Sequence, residues 1–428
     1  MAMTDGAATA HRLLPKLVTI LHEGYGLDAL RKDAFAGLTV AVVALPLSMA
    51  IAVASGVSPE RGLYTAIIGG FLVSLLGGSR FQIGGPAGAF IVLVAGTVAK
   101  YGMEGLLVTV LLSGLMLSVL GLMRLGQLVR FVPHAVTVGF TGGIAVTILA
   151  SQLKDLGGLS LKGAEPGALV EKLAALAGAL SSFSLATFAT GVGVAAVIFA
   201  LRRFRPSWPG MLIAVALASV AVFLLHVPVE TVGGRFGAIS GGLPPPRTPQ
   251  MSPALVLQML PSALTFTLLG AVESLLSAKV ADGMTGRRHR YNMELIAQGV
   301  ANVASAIFGG LSVTGTIART ATNIRAGART PLAGMLHAAA LLLFMLFAAP
   351  LVGFVPLSAL AGVLIVVSWN MVEKTEFLRA LRDWRTGSVL AVTFALTALH
   401  DLSAGFVAGC LLASVLSVLH RGIPHEEL

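Results

Sequence analysis

The residues best suited to chemistry lie between Gly309 and Gly334, GGLSVTGTIARTATNIRAGARTPLAG, in an otherwise very apolar chain. The glycines let backbone approach a guest closely, and Ser312, Thr314, Thr316 and Thr320 supply hydroxyls. Arg319 adds a permanent positive charge that lipid alone makes costly. That set suits an anion. A second position is Glu273, in AVESLLSAKVAD, because no other acidic residue lies well inside an apolar segment. If its helix starts at Pro261, Glu273 falls about 18 Å along it, near mid-membrane. A carboxylate there holds a proton or binds a cation such as sodium. Ser277, four residues on and on the same face, can complete an oxygen-lined cation site. No other metal is implied: Cys410 is the single cysteine, and no Cys/His cluster marks a structural zinc site.

The elements that must position these groups are membrane helices. Of 428 residues, 56% are hydrophobic and 11% charged, and the mean hydropathy is +0.89. These values exclude a soluble globular domain and describe an all-α polytopic protein in a lipid bilayer. A net charge of +10 can signal nucleic acid, anionic lipid or topology, and position decides between them. Arg12, Lys16, Arg31 and Lys32 precede the first apolar run without a signal-peptide pattern, which puts the N-terminus in the cytoplasm. Nothing calls for a nucleic-acid partner.

Apolar segments fall near 34–55, 59–77, 86–99, 104–123, 134–153, 182–201 and 208–227, then 261–281, 294–309, 316–327, 332–352, 356–372, 386–400 and 402–420. An ordinary span needs about 20 residues, so 86–99 and 316–327 reach only partway across as helices. With the N-terminus inside, Arg124/Arg130, Arg202/Arg203/Arg205, Arg287/Arg288/Arg290 and Lys374/Arg379/Arg382/Arg385 all fall on the cytoplasmic side, as the positive-inside rule asks. Both termini are then cytoplasmic, and a bacterial inner membrane is the expected location.

The chain divides into a cytoplasmic segment 1–33, a first set of seven spans over 34–228, an outer linker 229–252, a second set over 253–421 and a cytoplasmic end 422–428. Seven is odd, so the two sets enter the membrane in opposite orientation, the inverted repeat of secondary transporters. The short segment is the third of each set. Gly78-x5-Gly84 leads into the one beginning at Pro86, and Gly309-x5-Gly315 into the one beginning near Thr316. Two half-helix N-termini facing each other at the midplane present unpaired N–H groups and positive dipole ends, an anion pocket with little need of charged side chains. Pro86 suits a first-turn position. The extended residues before each half-helix, Phe81 to Gly85 and Ser312 to Gly315, must be buried in protein or line a cavity.

These blocks resemble the sulfate permease (SulP) family of anion transporters. The resemblance rests on GAVESLLSAKVADGMTG, RYNMELIAQGVANVASAIFGG and TGTIARTATNIRAGARTPLAG, and on DAFAGLTVAVVALPLSMAIAVASGVSPERGLYTAIIGGFLVSLLGGSRFQIGGPAGAF in the first half. It implies a uracil-permease-like 7+7 inverted repeat. In that arrangement a core domain of spans 1–4 and 8–11 moves against a gate domain of spans 5–7 and 12–14, an elevator-like mechanism. By the same resemblance, substrate is bound by Gly85, Pro86 and Ala87, by Thr316, Ile317, Ala318 and Arg319, and by Ala44, Leu45, Pro46, Leu47 and Ser48. The coupling position falls on Glu273, with a sodium-site hydroxyl at Ser277. The implied substrates are sulfate, bicarbonate or dicarboxylates moved by proton or sodium symport, with no cofactor, in a homodimer. Leu47 stands where many relatives have glutamine, which leaves the anion open. Relatives usually continue into a C-terminal STAS domain, whereas this sequence ends at Leu428.

An uncoupled exchanger or channel-like anion pathway shares the pocket, but the lone Glu273 suits coupled alternating access better. A nucleobase permease needs side chains that hydrogen-bond a neutral ring, whereas Arg319 points to an anion. An enzyme is not expected: His134 and His337 have no visible nucleophile or metal partner and read as packing or interface residues.

Overall fold

The computed structural model describes residues 13–127, 132–161, 163, 165–166, 168–206, 208–400 and 402–419. Residues 1–12, Arg130 and the expected end segment 422–428 lie outside the described residues.

A short helix, α1 (Lys16–Glu23), precedes α2 (Leu27–Ala54), the first span. The second span joins α3 (Pro59–Tyr64) to α4 (Gly70–Leu76) through a π-helical turn at Thr65–Gly69. Strand β1 (Gly84–Gly85) and a 3-10 turn (Gly88–Phe90) lead into α5 (Ile91–Leu122). Gly102, at φ 68° and ψ −172°, divides α5 into the third and fourth spans. The first half continues with α6 (His134–Gly157), α7 (Leu169–Gly178), α8 (Leu185–Phe204) and α9 (Gly210–Leu224), and α10 (Val232–Phe236) lies in the linker. The second half holds α11 (Pro253–Thr285), α12 (Tyr291–Ile307), β2 (Thr314–Gly315), α13 (Ile317–Arg325), α14 (Leu332–Val352), α15 (Leu357–Met371), α16 (Lys374–Ala380), α17 (Trp384–Leu399) and α18 (Leu402–Leu419).

With α1 ahead of the spans and α7, α10 and α16 between them, these elements make fourteen segments among the described residues, near the expected places. Among the described residues, seven helices are long and apolar enough to cross a membrane by themselves. Exposed Leu343, Phe347 and Leu351 on α14 show what the outer helices carry to lipid. The inner helices bury small and polar residues instead, which lets them approach closely.

What was not expected is how the halves are joined. β1 and β2 pair antiparallel, Gly84 opposite Gly315 and Gly85 opposite Thr314, so each extended segment satisfies the other's backbone. Helix α12 secures them. Its Glu294, Gln298, Asn302 and Ser305 form a buried polar stripe at near-helical spacing. Glu294 Oε2 accepts from Gly78 N (2.9 Å) and Ser79 N (3.1 Å). Asn302 Oδ1 accepts from Val313 N (2.9 Å) and its Nδ2 donates to Val313 O (2.8 Å), while Ser305 Oγ donates to Leu311 O (2.6 Å). The polar backbone ahead of both half-helices is thus bonded inside protein, which is the condition for its sitting at membrane depth.

Three boundaries differ from the sequence expectation. Helix α2 starts at Leu27 rather than near 34, because its first turns carry the exposed pair Asp28–Lys32 and bury Asp33, which binds Arg329 N, Thr330 and Tyr25. Helix α11 starts at Pro253, not near Pro261. Ser252 caps it by accepting from Leu255 N at 3.2 Å, and Pro261 is carried inside the helix. Glu273 therefore lies about 30 Å from the helix start rather than 18 Å. Finally, Pro86 is not in the first turn of its half-helix: Pro86 and Ala87 continue the extended segment, and the helical path begins at Gly88.

A candidate anion-binding centre

The centre grows from the pairing of β1 with β2. Thr316 follows β2 directly, and both its N–H (3.0 Å) and its hydroxyl (3.4 Å) donate to Ile83 O. Ile83 N in turn donates to Thr320 Oγ1 at 3.1 Å, one turn into α13. These bonds fix where α13 starts. Thr316 is its N-cap residue, with no side-chain cap bond, and Ile317, Ala318 and Arg319 form the first turn. Ile317 and Ala318 are exposed, so this helix N-terminus opens away from the packed interior.

Arg319, in the same first turn, is buried, 1% exposed. Its Nη2 donates to Ser48 Oγ (3.1 Å) and to Pro86 O (3.2 Å). Its Nε and Nη1 have no hydrogen-bond partner among the described residues. Nη1 lies directly over Gly85, where any Cβ would overlap it. One guanidinium thus joins the first span, the third-span approach and the tenth-span half-helix, with donor capacity to spare.

The expected residues fall into three groups. Gly85, Pro86, Ser48, Thr316 and Arg319 are brought together as described, and Ala44 supports Ser48 by accepting its hydroxyl at 2.7 Å. Leu45, Leu47 and Ala87 share the buried apolar cluster beneath the centre, Pro46 is buried within α2, and none of them has a polar contact to the guanidinium. Glu273 and Ser277, four residues apart, share one face of α11. Ser277 Oγ meets Thr320 Oγ1 at 3.3 Å, whereas Glu273 Oε2 is enclosed and has no hydrogen-bond partner among the described residues. No group of three or more His, Cys, Asp and Glu side chains that could hold a metal occurs among the described residues.

Sequence reasoning missed the polar frame around this centre. Ser274, one position after Glu273, donates to or accepts from Thr314 Oγ1 at 2.8 Å and accepts from Gly315 N at 3.1 Å. Gln82 Nε2 donates to Ser274 O (3.1 Å), and its side chain fills the space a Cβ at Gly315 would need. Asn323 Nδ2 donates to Phe81 O at 2.9 Å. The one readable signal was the Glu294, Gln298, Asn302 repeat at four-residue spacing in an apolar segment.

Two half-helix approaches paired across an inverted repeat, with a buried arginine at their junction, define a membrane transporter for small anions. Comparison with known proteins gives the particular group. Residues 30–397 match the Sulfate permease family, and the chain belongs to that family. It is 42% identical over 399 residues to the protein named "Putative sulfate transporter YvdB" of Bacillus subtilis, covering 92% of this chain and 75% of that one. It is 33% identical over 400 residues to the bicarbonate transporter BicA of a Picosynechococcus species, covering 91% and 70%. Among solved structures, the transmembrane domain of a cyanobacterium bicarbonate transporter BicA superposes with a TM-score of 0.80 at 32% identity, over 89% of this chain and 98% of that one. SLC26A9 superposes at 0.86 with 20% identity, over 98% and 69%, a likeness in fold alone. The named relatives are transporters, and the chain is a multi-pass membrane transporter rather than an enzyme.

Proposed function

We propose that this chain is a secondary active transporter of a small inorganic anion, bicarbonate or sulfate, driven by proton or sodium symport. The observation that carries the reading is the open N-terminus of α13 beside Arg319, whose Nε and Nη1 lack partners. Backbone N–H groups, a helix dipole and one guanidinium suit a small oxyanion better than a neutral ring. The names of the bicarbonate and sulfate relatives support the same substrates, and dicarboxylates are the larger alternative for the same pocket.

Coupling is assigned to Glu273. An enclosed carboxyl oxygen without a partner is costly as a bare anion, so the group carries a proton or a bound cation in at least one state of the cycle. Ser277, already bonded to Thr320, links that face of α11 to the anion half-helix. Movement is assigned to an elevator-like displacement of spans 1–4 and 8–11 against spans 5–7 and 12–14. An apolar crevice between the two groups, with Leu93, Leu268 and Val272 on one wall and Phe140, Leu402 and Phe406 on the other, offers a surface with few polar contacts to break. A homodimer in a bacterial inner membrane, with both termini cytoplasmic, completes the reading.

The test is uptake of labelled bicarbonate, sulfate and fumarate into proteoliposomes under imposed proton or sodium gradients. Concentrative uptake of one anion that follows one gradient is expected. Uptake that ignores both gradients refutes the coupling, and no anion flux at all refutes the function.

A further inference from the structure

A basic cavity, of about 350 Å³, lies at the opposite end of α13 from the anion centre, where the charge pattern places the cytoplasm. Arg80, Arg287 and Arg329 line it around an apolar floor that includes Phe81, Ile324 and Ala328. Each arginine arrives by a defined route. Gly286, left-handed at φ 66°, ends α11 and turns the chain to Arg287. Gly327, at φ 93°, follows α13, and Arg329 is held two residues later by its N–H on Asp33 Oδ1 at 2.6 Å. Arg80 follows the Gly78–Ser79 loop clamped by Glu294.

The three charges are unequally used. Arg80 Nη2 binds both oxygens of Glu23, at 2.8 and 2.7 Å, and its Nε is enclosed without a partner among the described residues. Arg287 and Arg329 are exposed and make no ion pair among the described residues, and their side chains bond none of the nearby helix-end carbonyls. The nearby carboxylates are otherwise engaged: Asp28 with Lys32, Asp33 with Tyr25 and the Arg329–Thr330 backbone, Asp282 with His289. A plain interfacial fringe would spread such arginines along the surface. Here Arg287 and Arg329, which make no close ion pair among the described residues although Arg329 lies near enough to Asp28 to act on its charge, line one concavity with Arg80, with room for a phosphate and its substituent. Guanidinium forks match phosphate oxygens in geometry as well as charge.

We propose that this cavity binds a phosphate group, either the phosphodiester headgroup of an anionic lipid or a free phosphate, at a site separate from the transport centre. The site bridges the ends of α11 and α13, the helices that carry Glu273 and Arg319, so its ligand ties together the two elements on which coupled transport is proposed to depend.

The experiment is thermal unfolding of the full chain in neutral detergent, titrated with short-chain phosphatidylglycerol, short-chain phosphatidylcholine or inorganic phosphate. Wild type, Arg287→Gln/Arg329→Gln and Arg319→Gln are compared. A saturable rise in unfolding temperature is expected for wild type and for Arg319→Gln. In the double variant the half-saturating concentration rises about tenfold or more, as the loss of two charge-assisted contacts implies. A response to phosphatidylglycerol alone assigns the site to a lipid headgroup, and a response to inorganic phosphate assigns it to the free ion. If the double variant does not fold, either single variant gives the same comparison with a smaller change. No saturable rise, a rise undiminished in the arginine variants, or a rise abolished by Arg319→Gln overturns the proposal.

Discussion

Gly85→Ala tests the anion centre most directly, because it adds one methyl group and removes no functional atom. A Cβ at Gly85 would overlap Arg319 Nη1 and come within 3.3 Å of its Cζ. The guanidinium must withdraw by about 1 Å or more to regain ordinary contact distance. Its bonds to Ser48 Oγ (3.1 Å) and Pro86 O (3.2 Å) are already near the long end for N–H···O. A hydrogen bond to a charged group contributes about 1.5–3 kcal/mol, and the anion's own contact with the displaced guanidinium weakens too. A partial loss of that contact follows, roughly 1–2 kcal/mol of anion binding or about 5- to 30-fold in affinity, less than removal of the side chain. Gly88→Ala controls for the added methyl group, while the strain of a side chain at Gly85's φ of 157° is read separately from the unfolding temperature: at Gly88 the nearest neighbours are Ile148 Cδ1 at 3.4 Å and Met371 Sδ at 3.7 Å, ordinary contacts that leave affinity within about threefold. The assay is anion-dependent uptake in proteoliposomes, with unfolding temperature measured without anion to confirm folding. Wild-type affinity in Gly85→Ala, or equal damage in Gly88→Ala, refutes the placement of Arg319.

Arg319→Ala is expected to weaken anion binding by about 10- to 100-fold while Arg319→Lys retains part of it, since only the point charge survives; equilibrium binding of the transported anion decides. Glu273→Gln should abolish gradient-driven accumulation and leave anion exchange, and full accumulation by that variant would exclude the coupling role. Asn302→Leu removes the partner of Val313 N, Val313 O and Ser312 Oγ inside the protein, and should lower stability by about 2–5 kcal/mol in a denaturation series, with little effect if water replaces the amide. Lys16, on α1 outside the spans, is held down to about pKa 8, from an ordinary 10.5, by burial and then by the charges of Arg290 and Arg80. The docked helix therefore binds fewer protons than the free segment between these two values, so docking strengthens as pH rises from about 8 toward 10.5. Protection factors of the Lys16–Glu23 amides, with the base-catalysed rise of intrinsic exchange divided out, should increase over that window, and the trend should vanish in Lys16→Met.

Span positions were legible because lipid imposes a single strong requirement, a long apolar helix, and because arginines cluster between alternate spans. The short third and tenth spans were legible for the same reason in reverse: GGLSVTGTIART is too polar and glycine-rich to be an ordinary span. What stayed hidden is pairing. That Gly84 meets Gly315 and Gly85 meets Thr314 depends on two segments some 230 residues apart folding onto each other, which no local pattern records. The error at Pro86 has the same source. Its missing N–H fits a first helical turn, but the paired strand carries the extended conformation two residues further, and Pro86 contributes its carbonyl to Arg319 instead. The start of α11 was misplaced because Pro261 looks like a beginning, whereas the Ser252–Pro253 cap gives a stronger one eight residues earlier. Helix α12 was the avoidable omission, since Glu294, Gln298 and Asn302 show their common face by spacing alone.

On the proposed reading, coupling works through the charge sum of Glu273 and Arg319, whose Oε2 and Nε/Nη1 atoms have no hydrogen-bond partner among the described residues. In that reading both residues belong to the group of helices proposed to move, and α11 and α13 are joined through Ser277 and Thr320. With Glu273 ionised and no anion bound, the pair sums to zero. Binding a monoanion alone leaves one net negative charge, which is expensive to carry through a low-dielectric passage. A proton or sodium at Glu273 restores neutrality, so the empty unit and the doubly loaded unit move while the singly loaded forms do not. In Glu273→Gln the empty unit carries the uncompensated charge of Arg319 and only the anion-loaded unit is neutral. That variant can return only with an anion on board, which is exchange without accumulation. For sulfate the same sum over Arg319 and Glu273 leaves one negative charge even with the coupling ion in place, so on the proposed reading this pair favours a monoanion such as bicarbonate over a dianion.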